Sequence, residues 1–290
     1  MQYRNLGHSG LKVSEVALGN WLTHSRTVDD SAAHDTVRKA FDLGINFFDT
    51  ADVYNQGGAE TVLGGVLGEF RRRDLVIATK CFFPMSDRPN DRGLSRKHVI
   101  ESIHDSLSRL KTDYVDLYQC HRYDRDTPLE ETVRAMGDLV ARGDVLYWGV
   151  SEWRADEIAA ACGIADRLGL PRPISNPPSY SMLNRNIEAT VLPVSEEFGL
   201  GQVVFSPLAQ GVLTGKYLPG QAPAEGTRAA DDSSNQFMRG LMNDETLTKV
   251  QNLVAFAKER DLTPVQLALA WCLRQPGVSS VIVGASNAAQ

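Results

Sequence analysis

Short runs of β-branched and apolar residues alternate with longer amphipathic stretches along almost the whole chain. The runs predict strands over 16–18, 46–49, 75–80, 115–119, 147–151, 173–176, 202–206 and 280–283. Between them the period lengthens to that of a helix. Residues 31–43 place Ala33, Val37, Ala40 and Phe41 on one face, and residues 95–110 do the same with Val99, Ile103, Leu107 and Leu110. Ser95 and Thr127 stand where a capping hydroxyl is expected, with Pro128 at the favoured first helical position. Further helical patterns cover 130–141, 155–168, 187–198, 244–260 and 264–273.

Strand and helix alternating at this spacing imply parallel strands joined by right-handed crossovers. Eight such strands predict a closed (β/α)8 TIM barrel, one domain over residues 1–290. Two short strand-like pieces around His8, Ser9 and Gly10 suggest a hairpin plugging the barrel's N-terminal face. The chain stops at Gln290, seven residues after the last predicted strand, so the C-terminal helix is expected to be missing or truncated. Residues 219–240 are rich in Gly, Pro and polar side chains and read as a long loop over one face of the barrel.

Composition narrows the function classes. A net charge of −6 and a pI near 5.6 argue against a nucleic-acid partner. Arg71 to Arg73 form a basic cluster flanked by acids and read as a solvated helix end. Cys81, Cys120, Cys162 and Cys272 are widely separated, which predicts reduced, buried thiols rather than a metal site. No run approaches the roughly 18 apolar residues of a membrane span, so no direct membrane insertion and a cytoplasmic location are expected.

In a parallel barrel the C-terminal ends of the strands converge on one face, where chemistry is done. Polar residues at those ends are Asp49, Lys80, Cys120 with His121, Ser151, Asn176 and Ser206, and Tyr54 follows Asp49 on the adjoining loop. A lysine ending the apolar run "LVIAT" needs a partner if buried, and Asp49 can supply it. An ammonium so held would stabilise a Tyr54 phenolate and lower the phenol's pKa, while His121 could orient a substrate oxygen. Asp52, equally close in sequence, reads as a turn residue. Asp49 and Lys80 alone could equally be a structural ion pair; four polar groups from three consecutive strand ends favour a functional site.

The segments "YRNLGHSGLKVSEVALGNW", "FDTADVYNQGGAETVLG", "GLSRKHVIESIHDSLSRLKTDYVDLY", "YWGVSEW", "SPLAQGVLTGKY" and "LALAWCLRQPGVSSVIVGASNAAQ" occur in order over nearly the whole chain. In them the sequence resembles the aldo-keto reductase superfamily, above all the branch of voltage-gated potassium channel β-subunits and their bacterial reductase relatives. The resemblance implies a barrel that binds a nicotinamide cofactor, NADPH (NADP+), without a Rossmann domain. It implies a catalytic tetrad of Asp49, Tyr54, Lys80 and His121, with Tyr54 as general acid, Asp49 and Lys80 tuning it, and His121 orienting the carbonyl. The channel subunits usually carry Asn where His121 stands.

Cofactor contacts implied by the resemblance are Asn20, Trp21, Asp49, Ser151, Asn176, Phe205, Ser206, Pro207, Leu208, Ala209, Gln210, Gly211, Lys216, Arg228, Gly284, Ser286 and Gln290. Ser151 and Asn176 would meet the carboxamide, Phe205 the nicotinamide ring, and the loop after the seventh strand the pyrophosphate. The sequence departs from the family in Pro177, where a Gln is common, in Glu152, where channel subunits carry Arg, and in ending before the adenosine site is finished. The implied function is NADPH-dependent reduction of a small-molecule aldehyde or ketone. The alternative is a cofactor-binding, redox-sensing regulatory subunit of a membrane channel, and a tetrameric homo-oligomer is plausible for either. Substrate loops are expected at 21–29, 82–93, 123–126 and 219–240. The aromatic residues Trp21, Phe82, Phe83 and Tyr123 would line an apolar pocket, and Arg88, Arg92 and Arg122 would favour an anionic substrate.

Overall fold

The structure is a computed structural model that describes residues 1–21, 30–230, 235 and 237–290. Strands β1 (Tyr3–Asn5) and β2 (Lys12–Ser14) pair antiparallel, with Tyr3 opposite Ser14. Eight parallel strands follow: β3 (Val16–Gly19), β4 (Phe47–Asp49), β5 (Val76–Cys81), β6 (Val115–Cys120), β7 (Val145–Val150), β8 (Ser175–Asn176), β9 (Gly201–Val204) and β10 (Val278–Val283). Their order around the sheet is β7-β6-β5-β4-β3-β10-β9-β8. The seam between β7 and β8 is bridged by Ile174 N donating to Trp148 O at 2.9 Å, which brings the sheet nearly to closure.

Around the barrel lie α1 (Asp30–Asp42), α2 (Gly58–Leu67), α3 (Arg96–Leu110), α4 (Leu129–Arg142), α5 (Ala155–Leu168), α6 (Val191–Phe198), α7 (Asp244–Lys258) and α8 (Pro264–Leu273). Most match the periodic stretches to within a residue or two. Helix α6 starts later than its pattern predicts, because residues 186–188 form a separate 3-10 turn. Helix α2 is one that its pattern conceals. Its Gly64 and Gly65 disfavour a helix, yet a Cβ at Gly64 would lie 2.5 Å from Arg109 O, so glycine lets α2 and α3 approach closely.

Ser95 caps α3 as expected, accepting from His98 N. Thr127 does not cap α4. Its hydroxyl donates instead to Asp124 Oδ2 at 2.7 Å, and Pro128 takes the cap position with Leu129 as the first helical residue. Arg72 also departs from its expected solvated role: its guanidinium bonds Asp116 Oδ2 at 2.7 Å and the carbonyls of Leu75 and Tyr114. It therefore ties β5 to β6 at their N-terminal ends, and only its neighbours Arg71 and Arg73 are exposed.

Two apolar layers follow from strand alternation. Ala17, Phe47, Val76, Ala78, Leu117 and Val203 point into the barrel, where Leu6 and Val13 of the hairpin join them and close the N-terminal end. Leu18, Phe48, Ile77, Tyr118, Trp148 and Val204 point outward and pack under the helices. All four cysteines are buried and free. Beyond β10 the residues to Gln290 hold no helix. Among the described residues, no helix is long and apolar enough to cross a membrane.

Candidate active site

The inner alternation of each strand continues two residues past its apolar layer and there becomes polar. Phe47 leads to Asp49, Ala78 to Lys80, and Leu117 through Gln119 to His121. Parallel register brings these ends level, with Asp49 opposite Ala78 and Lys80 opposite Gln119.

Lys80 Nζ lies 2.6 Å from Asp49 Oδ2, 2.7 Å from Thr50 O and 3.4 Å from the Tyr54 hydroxyl. The ammonium is thus shared by an acid, a carbonyl and a phenol. Burial works to discharge Lys80, but Asp49 and Tyr54 together outweigh it and hold the ammonium above its ordinary range. Burial likewise raises the Asp49 carboxyl, with Lys80 and Gln119 opposing it. Tyr54 does not follow its expected net direction: burial raises the phenol, and the Lys80 charge offsets only part of that rise. The lysine acts in the expected sense, against a larger desolvation.

His121 is buried, with its ring edge-on to Tyr54 at 5.7 Å between centroids and to Phe83 at 4.9 Å. Burial first, then the Lys80 and Arg122 charges, holds its pKa well below the ordinary histidine range, so the imidazole is neutral. Its Nδ1 has no hydrogen-bond partner among the described residues. A neutral imidazole beside a protonated phenol can donate or accept a hydrogen bond without bringing another charge to the mouth.

The turn that presents Tyr54 is held from behind. Tyr54 N donates to Ala51 O and Ala59 N to Tyr54 O, while Asn55 and Gln56 take left-handed conformations with φ of 50° and 51°. Gly57 follows at φ 84°, where a Cβ would meet Arg109 Cδ at 2.7 Å. Asp52 is more than a turn residue. It is fully buried, accepts from Val53 N at 2.6 Å and from Ser102 Oγ at 3.0 Å, and its carboxyl is pushed up to about 7 by burial and by Glu60. Glu60, equally buried, accepts from Thr79 Oγ1 at 2.5 Å and from Arg109 Nε at 2.6 Å. Asp52 and Glu60 therefore fasten both ends of the Tyr54 turn to β5 and α3.

Sequence reasoning passed over Gln119, Glu60 and Arg109. Gln119 connects Ser175 Oγ, at 3.2 Å, to Asp49 Oδ1, at 3.5 Å, inside the barrel. The alternation of β6 could have revealed it, since it is two residues before His121. Glu60 and Arg109 are partners separated by 49 positions, and no local pattern announces them.

Of the expected cofactor contacts, Asn176 is turned away from the mouth. Ser175 faces inward to Gln119, so its successor on β8 faces outward, where Asn176 Nδ2 donates to Gln202 Oε1 at 3.2 Å. Gln202 shares that outward side, because its successor Val203 belongs to the inner layer. The inward position past Ser175 is Pro177, whose carbonyl accepts from Ser151 Oγ at 3.4 Å. Asn20 directs its amide at Ala59 O, 3.1 Å away, on the side of the Tyr54 turn. Glu152, at φ 58°, accepts from Ser179 N at 2.5 Å and joins the loops after β7 and β8.

The loop after β9 has the conformation of an anion cradle. Ser206, Ala209, Gln210 and Gly211 all have positive φ, of 55°, 48°, 59° and 96°. Gln210 is clamped between Ser206 Oγ and Arg228 Nη1, each at 2.5 Å. Lys216 Nζ lies 3.7 Å from where a Cβ on Gly211 would stand. Burial lowers the Arg228 pKa. Beneath the loop Ala209, Val212 and Leu213 pack with Leu247, Val250 and Ala268 of α7 and α8, alongside Pro207 and Leu208 in the chain. Successive left-handed residues with two nearby cations suit a diphosphate group, so the residues present fit a dinucleotide. Phe205, two residues beyond the inward Val203, stands at the mouth end of β9. Gly284 follows β10, and Gln290 Oε1 accepts from Ser286 N at 2.8 Å in the exposed end of the chain.

Trp21 approaches Tyr54 at 6.4 Å and Phe237 at 5.2 Å between ring centroids, and Phe83 flanks His121. Phe82 and Tyr123 pack against the outer apolar layer instead. Expected substrate-loop positions 22–29, 231–234 and 236 lie outside the described residues.

Comparison with known proteins adds a pattern of relatives. The Aldo/keto reductase family model matches residues 15–290. The chain is 46% identical over 290 residues to a "Probable voltage-gated potassium channel subunit beta" of Oryza sativa subsp. japonica, covering 99% of this chain and 88% of that protein. A protein of the same description from Arabidopsis thaliana is 47% identical over 293 residues, covering 100% and 89%. A "Putative voltage-gated potassium channel subunit beta" of Schizosaccharomyces pombe (strain 972 / ATCC 24843) is 42% identical over 293 residues, covering 99% and 85%.

Proposed function

The chain belongs to the aldo/keto reductase family, and on that premise we propose that it is an NADPH-dependent reductase of aldehydes or ketones. The observation that carries this reading is the contact of one buried ammonium with both Asp49 and the Tyr54 hydroxyl, beside a neutral His121. NADPH, when bound, would supply the hydride. The chain's own groups supply binding, orientation and the proton.

Tyr54 is protonated at neutral pH, since burial raises its phenol, and serves as general acid to the oxygen of a carbonyl as negative charge develops there. The phenolate left behind is stabilised by Lys80, whose ammonium is retained by Asp49. His121 donates a hydrogen bond that orients the same oxygen, and its neutrality adds no further charge beside the Lys80 ammonium. The cradle of Ser206, Leu208, Gln210 and Gly211, with Lys216 and Arg228, would hold the diphosphate. Phe205 would pack on the nicotinamide, and Ser151 would orient the carboxamide with Pro177 in place of a second side-chain amide.

Fluorescence titration with NADPH and NADH, followed by turnover of an aldehyde panel, tests this reading. Saturable NADPH binding and aldehyde-dependent oxidation are expected. Binding without turnover of any aldehyde would instead favour a second reading, a cytoplasmic, cofactor-binding, redox-sensing regulatory subunit of a membrane channel. The similarity to proteins described as channel β-subunits supports that alternative, while His121 in the tetrad favours catalysis.

A further inference from the structure

The mouth carries a cation that the proposed reduction does not use. Arg122 follows His121 directly, is half-buried, and donates from Nη1 to the His121 carbonyl at 2.6 Å. Its guanidinium lies over the Phe83 ring at 5.5 Å, and that ring in turn packs edge-on to His121 at 4.9 Å. The side chain is therefore held at the rim of the catalytic group, by one hydrogen bond and one aromatic face.

No carboxylate neutralises it among the described residues. Asp124, two positions on, is occupied by Leu94 N and Thr127 Oγ1, each at 2.7 Å, and by Asp126 N at 2.9 Å. Arg125, its other cationic neighbour, lies 3.9 Å from Glu157. The Asp49 charge is matched by Lys80. The Arg122 charge is felt at both Tyr54 and His121, where it acts in the same direction as that of Lys80. Arginine offers a fixed fork of donors, and one nitrogen committed to a backbone carbonyl leaves the others free for a carboxylate.

We propose that Arg122 is a specificity-determining residue that binds a carboxylate carried on the substrate, so that the preferred substrates are aldehydes with an anionic carboxylate at the end away from the reacting carbonyl. This rests on the reductase reading for its reacting group, and on the geometry of Arg122, Phe83 and His121 for its anion. The aromatic faces of Phe83 and Trp21 suit a flat or apolar spacer between the two ends.

The test compares 4-carboxybenzaldehyde with its uncharged isostere 4-formylbenzamide in the wild type, Arg122→Gln and Arg122→Lys. In the wild type kcat/KM should favour the carboxylate by about tenfold or more, the range of a charge-assisted hydrogen-bonded pair. Arg122→Gln should bring that ratio near one, and Arg122→Lys should restore part of it. Raising the salt concentration should narrow the wild-type ratio. Equal turnover of both aldehydes by the wild type, or a ratio unmoved by Arg122→Gln, overturns the proposal while leaving the reductase reading intact. Should neither aldehyde be reduced, the reductase reading fails, and benzoate binding to the NADP+-loaded protein decides the anion site: binding lost in Arg122→Gln retains it, and no binding removes it.

Discussion

Lys80 Nζ stands 2.6 Å from Asp49 Oδ2 and 3.4 Å from the Tyr54 hydroxyl, inside a barrel mouth where Asp49 and Lys80 are buried and Tyr54 is half-buried. Removing the ammonium leaves Asp49 as an uncompensated buried charge. Lys80→Met should therefore destabilise the fold by about 3–5 kcal/mol as well as abolish turnover. Urea unfolding measures the first effect. Replacing both residues, Asp49→Asn with Lys80→Met, should recover much of the stability without recovering activity, and a double variant no more stable than Lys80→Met would contradict the pairing.

Tyr54→Phe removes the proton donor while keeping the ring that packs near Trp21 and His121. Turnover should fall by roughly 10²–10⁴-fold, with NADPH affinity nearly unchanged. Because burial raises the Tyr54 phenol, reduction by the wild type should decline only on the alkaline side of an ordinary phenol. Undiminished turnover in the variant would remove Tyr54 from its role.

Asp52 makes stability depend on pH. Its carboxyl rises from 3.8 to about 7 in the folded chain, so the folded state holds a proton that the unfolded state has lost. Stability from this proton is fully present below the unfolded value and is lost as pH rises through the folded one. Over three pKa units the loss reaches about 4 kcal/mol. Chemical denaturation at pH 5 and pH 8 should show a decline in the wild type that Asp52→Asn largely removes. Identical pH slopes in the two proteins would exclude Asp52 as the source.

Gly57 combines φ 84° with the passage of Arg109 2.7 Å from where a Cβ would stand. Gly57→Ala adds left-handed strain of roughly 1–2 kcal/mol and pushes Arg109 off Glu60. A lower Tm together with a lower kcat is expected, because the Tyr54 turn is fastened through Glu60. An unchanged Tm would show that the turn tolerates a side chain there.

The convergence of Asp49, Tyr54, Lys80 and His121 was legible because strand alternation is local and parallel strand ends meet at one face. Asp49, Lys80 and His121 each continue an inward series, and a phenol just beyond the first of them completes the set. Asn176 was misread for the same reason inverted: the short β8 gives too few residues to fix its phase, and only the Ser175–Gln119 contact shows which side faces in. Helix α2 was obscured because its glycines lower its propensity, although they are what α3 requires for close approach.

The sequence by itself determined the alternation of strands and helices, the hairpin before them and the four polar groups at the mouth, since each depends on side-chain periodicity along a few adjacent residues. The tertiary structure alone decided that Glu60 meets Arg109, that Arg72 meets Asp116, and that the turn residue Asp52 is fully buried. Those pairings join residues tens of positions apart, and their energies depend on distance and desolvation, which exist only once the chain has folded.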